Sequence, residues 1–384
     1  MKIVQLFFGS HIAGKRRAYN FFVVLNKKYE NVALYTLNGK ESVFRRIIFE
    51  IKTIIKLFNK EVKIIHLHDF SLILPFFIKI LKYNKKIVIY DTGNIHYETA
   101  KITNQKKVIV KIIKFLENIT IKQANYIISR GVFLKHIIEV KRGNNIDIYY
   151  IPDPVNVELF KKIKQEEARK NLGIPKEKFL IGYTANFTSI KVGPKFLPRG
   201  WELIEILIKF KKKNISNINV IFIGSGKGLV KLKELAYKKG VESFCVFTDK
   251  VPEKKFIYYL KAIDVGFMED YDNIQYKTSI GAKVQEYMAA GKIVVTGNNP
   301  ERDFLLSSSQ GTRFFFTPPD IENDLDIEKY IEQIWNIFWD IYINYDDIKY
   351  IGINNEKRAT EIFDYPVVNE SLIELYEKIL SKDK

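Results

Sequence analysis

The sequence predicts an α/β chain of two doubly wound, parallel-sheet domains. Three observations carry this. Short apolar runs recur along the whole chain. Stretches with apolar residues at three- and four-residue spacing separate most of them. The runs are near-continuously apolar rather than alternating, which marks parallel strands covered on both faces.

The first series of strands is Ile3–Phe8, Val32–Thr36, Ile64–Leu67, Ile87–Tyr90, Tyr126–Ser129 and Ile148–Ile151. The second is Phe179–Tyr183, Asn219–Gly224, Cys245–Thr248, Asp264–Met268 and Ile293–Thr296, with helices such as Gly200–Lys212 and Lys231–Lys239 between them. Prolines interrupt the pattern from Pro152-Asp153-Pro154 to Ile174-Pro175, which marks a boundary. The expected domains are 1–160, 161–360, and a terminal helical segment 361–384 with a helix from about Asn369 to Leu380.

At 384 residues the chain has room for two or three domains. Hydrophobic content of 47% and charged content of 28% exclude a disordered or collagenous class. One cysteine, Cys245, excludes an internal disulfide and fits a reducing compartment. The apolar start Met1–Phe8 is too short before Gly9 for a signal peptide and reads as a buried strand. No uncharged apolar run reaches 18 residues, so a membrane-spanning helix is not expected. The net charge is +18, and its distribution is uneven. Residues 1–150 carry 27 basic and 10 acidic side chains, and the rest carry 35 and 34. A basic first part suits an anionic partner: a membrane surface, a phosphorylated substrate or nucleic acid. No nucleic-acid motif accompanies the charge.

Three glycine-rich turns follow strands. Gly9-Ser10-His11-Ile12-Ala13-Gly14-Lys15-Arg16 has P-loop spacing, but Arg16 stands where a hydroxyl binds Mg²⁺. It reads as a turn that brings backbone amides to a ligand. Gly224-Ser225-Gly226-Lys227-Gly228 resembles a dinucleotide fingerprint with Leu229 at the third glycine. The third stretch, Thr278 to Lys292, opens a helix whose N-terminus suits a phosphate. Lys283 and Glu286 share one helix face. They read either as a cation for phosphate with a carboxylate for ribose hydroxyls, or as a surface ion pair.

Beyond spacing, the sequence resembles a known family. Lys283-Val284-Gln285-Glu286-Tyr287-Met288-Ala289-Ala290-Gly291-Lys292-Ile293-Val294-Val295 is similar to a "K-l-x-E-Y-M-A-a-G-k-P-V-V" signature. Val251-Pro252 with Tyr259–Val265, Ile151–Asn156 with Leu159-Phe160, Ala168–Pro175, Arg199-Gly200-Trp201 and Gly224-Ser225-Gly226 match further blocks in the right order. The family is the retaining, nucleotide-sugar-dependent glycosyltransferases of glycogen-synthase and mannosyltransferase type, with the GT-B fold of two Rossmann-like domains facing a cleft.

The resemblance implies transfer of a sugar, with retention, from a UDP- or GDP-sugar to a glycan or lipid-linked acceptor in cell-envelope polysaccharide biosynthesis. It implies that Glu286 binds the donor ribose. Lys283 and Arg199 would bind the diphosphate, with Gly9 and Ser10 approaching it and Thr278 and Ser279 beside the sugar. His96 is the catalytic expectation. No cofactor and no metal are expected. The basic first domain holds the acceptor, and the terminal helix crosses back to it. The expected location is cytoplasmic, peripheral on the inner face of the membrane. Two departures stand out. Thr278 replaces a glutamate often found eight residues before the ribose-binding one, and Gly281 stands where a sub-group carries proline. In Ile89–Glu98, Gly93 takes the place of a histidine, with His96 three residues later. A catalytically degenerate partner subunit and a sugar-nucleotide epimerase of the same fold are the alternatives.

His66 and His68 at a strand end read as a structural pair. Val43, Phe44, Ile47, Ile48, Ile51, Ile54, Ile55 and Phe58 fall on one helical face beside Arg45, Arg46, Lys52, Lys56 and Lys60. This reads either as a helix packed on the sheet or as a membrane contact with an aromatic such as Phe49 dipping in. Lys107 to Lys122 is a second such stretch.

Overall fold

The computed structural model describes residues 1–9, 12–37, 42–103, 105–143, 147–193, 195–320 and 326–382. They form two units. The first comprises Met1–Pro154, Lys277–Ser279 and Pro366–Lys384; the second comprises Val155–Tyr276 and Ile280–Tyr365.

The first unit holds six strands: β1 (Lys2–Phe7), β2 (Val32–Thr36), β3 (Val62–His68), β4 (Ile87–Thr92), β5 (Tyr126–Ser129) and β6 (Ile148–Tyr150). All pairings are parallel, in the order β2-β1-β3-β4-β5-β6. The second unit holds β7 (Phe179–Thr184), a hairpin of β8 (Ser189–Val192) and β9 (Lys195–Pro198), then β10 (Ile218–Ile223), β11 (Cys245–Phe247), β12 (Val265–Phe267), β13 (Ile293–Gly297) and β14 (Phe315–Phe316). Its main sheet is parallel in the order β11-β10-β7-β12-β13-β14. This is the doubly wound α/β class the sequence predicts. Only the hairpin and β14 escaped the periodicity: Ser189–Val192 and Lys195–Pro198 carry lysines within four residues each, and β14 is two residues long.

In each sheet the chain runs outward one way and then returns to the other side, so a switch point lies between β1 and β3 and another between β7 and β12. Ligands of open α/β sheets bind outside the carboxyl ends of the strands at such points. β7 ends at Tyr183-Thr184, and β12 runs into Met268-Glu269-Asp270.

The terminal helix spans Tyr365–Lys382, four residues earlier at its start than the sequence pattern suggested. Pro366 lies in its first turn, where the missing N–H costs nothing. Val368, Leu372, Leu375, Tyr376 and Ile379 pack into the first unit's core with Ile3, Phe21, Leu25, Ile64, Ile89, Ile128 and Ile151. Each fully buried aliphatic side chain contributes about 1.5–3 kcal/mol.

Two helices of the first unit are turned inside out. On the helix Val43–Leu57 the buried residues are Glu50, Thr53, Ile54 and Leu57. Val43, Phe44, Ile48, Ile51 and Ile55 face solvent, with Phe44 72% exposed. Most of the apolar stripe is therefore not packed on the sheet. Phe49 does not point outward as expected; its ring meets Phe8 edge-on at 6.1 Å. The buried Glu50 carboxylate explains the rotation. It accepts from Ser71 Oγ at 2.6 Å and from the N–H groups of Leu72 and Ile73 at 2.9 Å, and Arg46 Nε donates to it at 2.8 Å. The helix Lys107–Gln123 repeats the arrangement. Glu117 is buried and accepts from His96 N at 2.8 Å, while Val108, Ile109, Ile112 and Phe115 are exposed.

Glu50→Ala takes the acceptor from the part-buried N–H of Leu72 and from the Ser71 hydroxyl, and leaves Ile73 N–H only Ser71 Oγ at 3.3 Å, so a loss of about 1–3 kcal/mol is expected in chemical denaturation. Ile55→Ser, on the exposed stripe, is expected to change stability by about 0.5 kcal/mol or less. Equal losses for the two variants would mean that the stripe is buried.

Candidate active site

The second unit gathers charge at its switch point. Arg199 immediately precedes Gly200 and the helix Trp201–Lys212. Lys283 lies in the first turn of the helix Ala282–Ala289. Both cations reach one carboxylate, that of Glu269, just beyond β12. Lys283 Nζ donates to Glu269 Oε2 at 2.8 Å, and Arg199 Nη1 lies 3.5 Å from Oε1. Glu269 is 1% exposed, whereas the side chains of Arg199 and Lys283 are 31% and 14% exposed. The cations thus keep an open side and the acid does not. The Lys283 ammonium also sits over the Tyr183 ring, 4.3 Å from its centroid. Arg199 Nη2 donates to the Tyr276 hydroxyl at 3.1 Å.

Burial opposes ionisation of Glu269, but Lys283 and Arg199 overcome it and hold the carboxyl below its usual range. Glu202 is fully buried nearby, and the Tyr271 hydroxyl donates to it at 2.6 Å. Burial, reinforced by the neighbouring Glu269 charge, pushes Glu202 up to about 7. The residue after Glu269, Asp270, accepts from Thr296 Oγ1 and Asn299 Nδ2, both at 3.0 Å, with Arg302 Nε 3.3 Å from the same carboxylate. Asn299 caps the next helix, Pro300–Gln310.

Gly281 has φ +71°, and a Cβ there would lie 2.7 Å from Met268 Sδ and Cε. Proline cannot adopt that φ. The departure from proline noted in the sequence is therefore required by this backbone, which places Lys283 two residues on.

The first unit carries a second buried network, also near strand ends. Asp91 on β4 receives Arg17 Nε at 2.8 Å and Arg130 Nε at 3.1 Å, and Arg130 Nη2 reaches Asp69 at 2.8 Å. His66 and His68 stack at 4.1 Å. His66 Nδ1 lies 2.9 Å from the Tyr376 hydroxyl, and His68 Nε2 lies 2.7 Å from the Gln5 amide. Burial, then the neighbouring His68, pushes His66 down to about 3, so it is neutral. Both imidazoles approach Asp91 within 3.4 Å. Two guanidinium groups on that carboxylate make the node an ion-pair junction and oppose a divalent cation there. Gly93 has a structural reason as well. A Cβ there would lie 2.7 Å from Arg130 Cδ, so Arg130 fills the space that a side chain at 93 would take.

The structure thus brings Arg199 and Lys283 together. Glu286 follows Lys283 by one turn and is half-buried. Thr278 is buried at the end of the helix Ile274–Thr278, and the segment Lys277–Ser279 groups with the first unit. Gly9 follows β1, and Ser10 lies outside the described residues. His96 opens the helix His96–Ile102, with its ring 5.5 Å from Phe70. Sequence reasoning missed Glu269, Glu202, Tyr183 and Arg130. The one available signal was Glu269-Asp270, two acids directly after a fully apolar strand.

Residues 164–336 match the family model described as glycosyl transferases group 1. The fold matches solved structures along nearly its whole length. Sucrose-phosphate synthase from Thermosynechococcus elongatus aligns over all of both chains at 13% identity, with a TM-score of 0.73. Anabaena HepE in complex with UDP-glucose aligns over 98% of this chain and 100% of its own at 14% identity, with a TM-score of 0.69. WaaG, a glycosyltransferase involved in lipopolysaccharide biosynthesis, aligns over 96% and 98% at 12% identity, with a TM-score of 0.68. The fold is thus that of the GT-B glycosyltransferases, and the match to their group 1 family model lies in the second unit. Among curated sequences, probable polyketide synthase 40 of Dictyostelium discoideum is 27% identical over 184 residues. That match takes in 43% of this chain, which spans only 7% of the relative's length.

The Glu202 carboxyl gives a pH prediction. Its folded-state value, about 7, lies above the ordinary 4.5. Its contribution to stability is therefore fully present below pH 4.5 and is lost as pH rises through 7. Glu202→Gln removes that loss. Its melting temperature relative to the parent is expected to rise between pH 5 and about pH 7 and to level off by pH 8. A constant difference across that range would mean that Glu202 titrates normally.

Proposed function

We propose that this glycosyltransferase moves a sugar from a nucleoside diphosphate sugar, UDP- or GDP-linked, to a hydroxyl of a glycan or lipid-linked acceptor, with retention of anomeric configuration. The observation that carries the reading is the Arg199–Lys283 pair, two cations with open sides at the switch point of a group 1 glycosyltransferase domain. The leaving diphosphate gains negative charge as the glycosidic bond breaks. Fixed cations aimed at that charge lower the barrier without reorganising. In this reading Lys283 and Arg199 take the diphosphate, and the N-terminus of the helix Ala282–Ala289 adds its dipole. Glu286 takes the ribose hydroxyls, and Thr278 and Ser279 lie beside the sugar. On the first unit, which this reading assigns to the acceptor, Gly9, Ser10 and His96 are the proposed functional residues. The charge that a metal ion supplies in other transferases comes here from the two side chains, and no cofactor is invoked. The HepE complexes with UDP and UDP-glucose support the choice of donor class.

The same reading places the first unit on an anionic membrane surface, at the cytoplasmic face, where a lipid-linked acceptor in cell-envelope polysaccharide synthesis is presented. Its support is the inverted pair of helices. Phe44, Ile48 and Ile55 on one, and Val108, Ile112 and Phe115 on the other, face outward. Arg45, Lys52, Lys56, Lys107, Lys111 and Lys114 surround them, all exposed. The second helix packs against the turn Leu74–Phe77, where Phe76 is exposed. No helix among the described residues is long and apolar enough to cross a membrane. Lysines beside anionic headgroups contribute about 1 kcal/mol each.

Two measurements test the reading. Thermal-shift assays against UDP-, GDP- and ADP-sugars are expected to show stabilisation by one nucleotide class, about 2.7 kcal/mol at about 100 times Kd. Lys283→Ala and Glu286→Ala should each abolish it. No shift with any donor would count against the donor site. Vesicles with anionic lipid are expected to sediment the protein at low salt, and neutral vesicles are not. Phe44→Ser together with Ile112→Ser should reduce that binding about tenfold or more, since each buried CH₂ contributes about 0.8 kcal/mol.

A further inference from the structure

A buried acid inside an anion cradle needs an explanation. Lys283 and Arg199 alone would present two positive charges to a diphosphate. Glu269 cancels one of them and is fully desolvated itself. An acid that merely neutralised surplus charge could sit at the exposed rim. Glu269 instead lies below both cations, with one oxygen toward each: Oε2 to Lys283 at 2.8 Å and Oε1 to Arg199 at 3.5 Å. Asp270, the next residue, takes other partners, Thr296, Asn299 and Arg302.

We propose that Glu269 is a positioning residue for the donor diphosphate: its two oxygens set the spacing and direction of the Lys283 ammonium and the Arg199 guanidinium before the donor arrives. This rests on the reading of Lys283 and Arg199 as the diphosphate site. The groups that face Lys283 are Glu269 and Asp270 beyond β12, Arg199 and Glu202 from the segment opening the helix Trp201–Lys212, and Tyr183 on β7. Asp270, which burial pushes up to about 7, titrates equally in the parent and the Glu269 variants that keep a carboxylate. Burial, and to a smaller degree Arg199, disfavours the ammonium; Glu269 is the main group that favours it. Removing the Glu269 charge therefore leaves Lys283 buried beside a guanidinium, and it gives up its proton more easily.

The test is calorimetric titration of UDP, GDP and ADP into the full chain at pH 6.5, 7.5 and 8.5. The proteins are the parent, Glu269→Gln, Glu269→Asp and Lys283→Ala, each with its melting temperature. The parent is expected to bind one nucleotide with affinity that varies by about threefold or less over this range. Glu269→Gln should match it within about threefold at pH 6.5 and fall at least about tenfold behind it by pH 8.5, as unsupported Lys283 loses its charge. Glu269→Asp withdraws the carboxylate by one methylene. It should keep the parent's flat pH profile at about tenfold weaker affinity, because charge is retained and spacing is lost. A Glu269→Gln protein that tracks the parent at every pH overturns the proposal. If Glu269→Gln does not fold, Glu269→Asp decides, and parental affinity there overturns it. Failure of the site reading looks different: no nucleotide binds the parent, or Lys283→Ala binds as well as the parent, and the proposal falls with it.

Discussion

The second unit is organised around one carboxylate that cannot leave water cheaply. Taking a carboxylate into a protein interior costs several kcal/mol unless partners replace its hydration. Glu269 is given two cations as replacement. The rest of the neighbourhood follows from that requirement. β12 must end two residues before Glu269, so that the carboxylate lies between Lys283 and Arg199. Gly281 must take a positive φ so that the following helix starts with Lys283 in reach. Arg199 must come from the turn before Gly200, held from its other side by Tyr276. Glu202, buried close to the Glu269 charge, accepts a hydrogen bond from Tyr271 and is driven toward its protonated form. The aromatic hydroxyls are part of the electrostatics, because they hold acids and cations that packing alone would not orient.

The first unit solves the same problem with the same ratio of one acid to two cations. There one aspartate, Asp91, carries two arginines, and Arg17 is further tied to the carbonyls of Ile151 and Pro152 at 2.9 and 2.6 Å. That arrangement is closed: Arg17 is 1% exposed and Arg130 7%. It locks β4 to the helix Ile12–Lys28 and to the chain leaving β6. In the second unit the Arg199 side chain is 31% exposed and Lys283 14%, against 9% for Arg130, so the opening lies mainly on the Arg199 side. Burial of an ion pair is weak evidence for stability. Burial of the acid combined with exposure of its cations is evidence for preorganisation.

Much of the fold was legible because parallel strands are written as continuous apolar runs. Val32–Thr36 and Tyr126–Ser129 coincide with the observed strands to the residue. Lys283 was legible because its helix begins after a small-residue turn and continues as a motif. Glu269 was not, since it lies fourteen residues before Lys283 and farther still from Arg199, and only the sheet order brings them together. Arg130 was hidden for the same reason. Gly93 looked like a missing histidine, whereas its small size is dictated by a side chain from the next strand's end. Phe49 misled because helical spacing locates a stripe but not the direction in which it is turned.

That direction was decided by acids, and it connects charge to surface. An amphipathic helix normally buries its apolar stripe because nothing else in the helix competes for the interior. On Val43–Leu57 and Lys107–Gln123 something does compete. Glu50 and Glu117 each satisfy backbone N–H groups of a neighbouring segment, and those N–H groups would be orphaned if the helix rolled by half a turn. Each helix therefore faces its glutamate inward and its Ile, Val and Phe residues outward. Two of the few acids among the first 150 residues are thereby withdrawn from the surface, which leaves that surface more basic than the composition alone implies. Apolar exposure and basic charge arise together from the same two carboxylates. A face built in this way is costly in water, and that cost is the physical basis of the membrane contact proposed above.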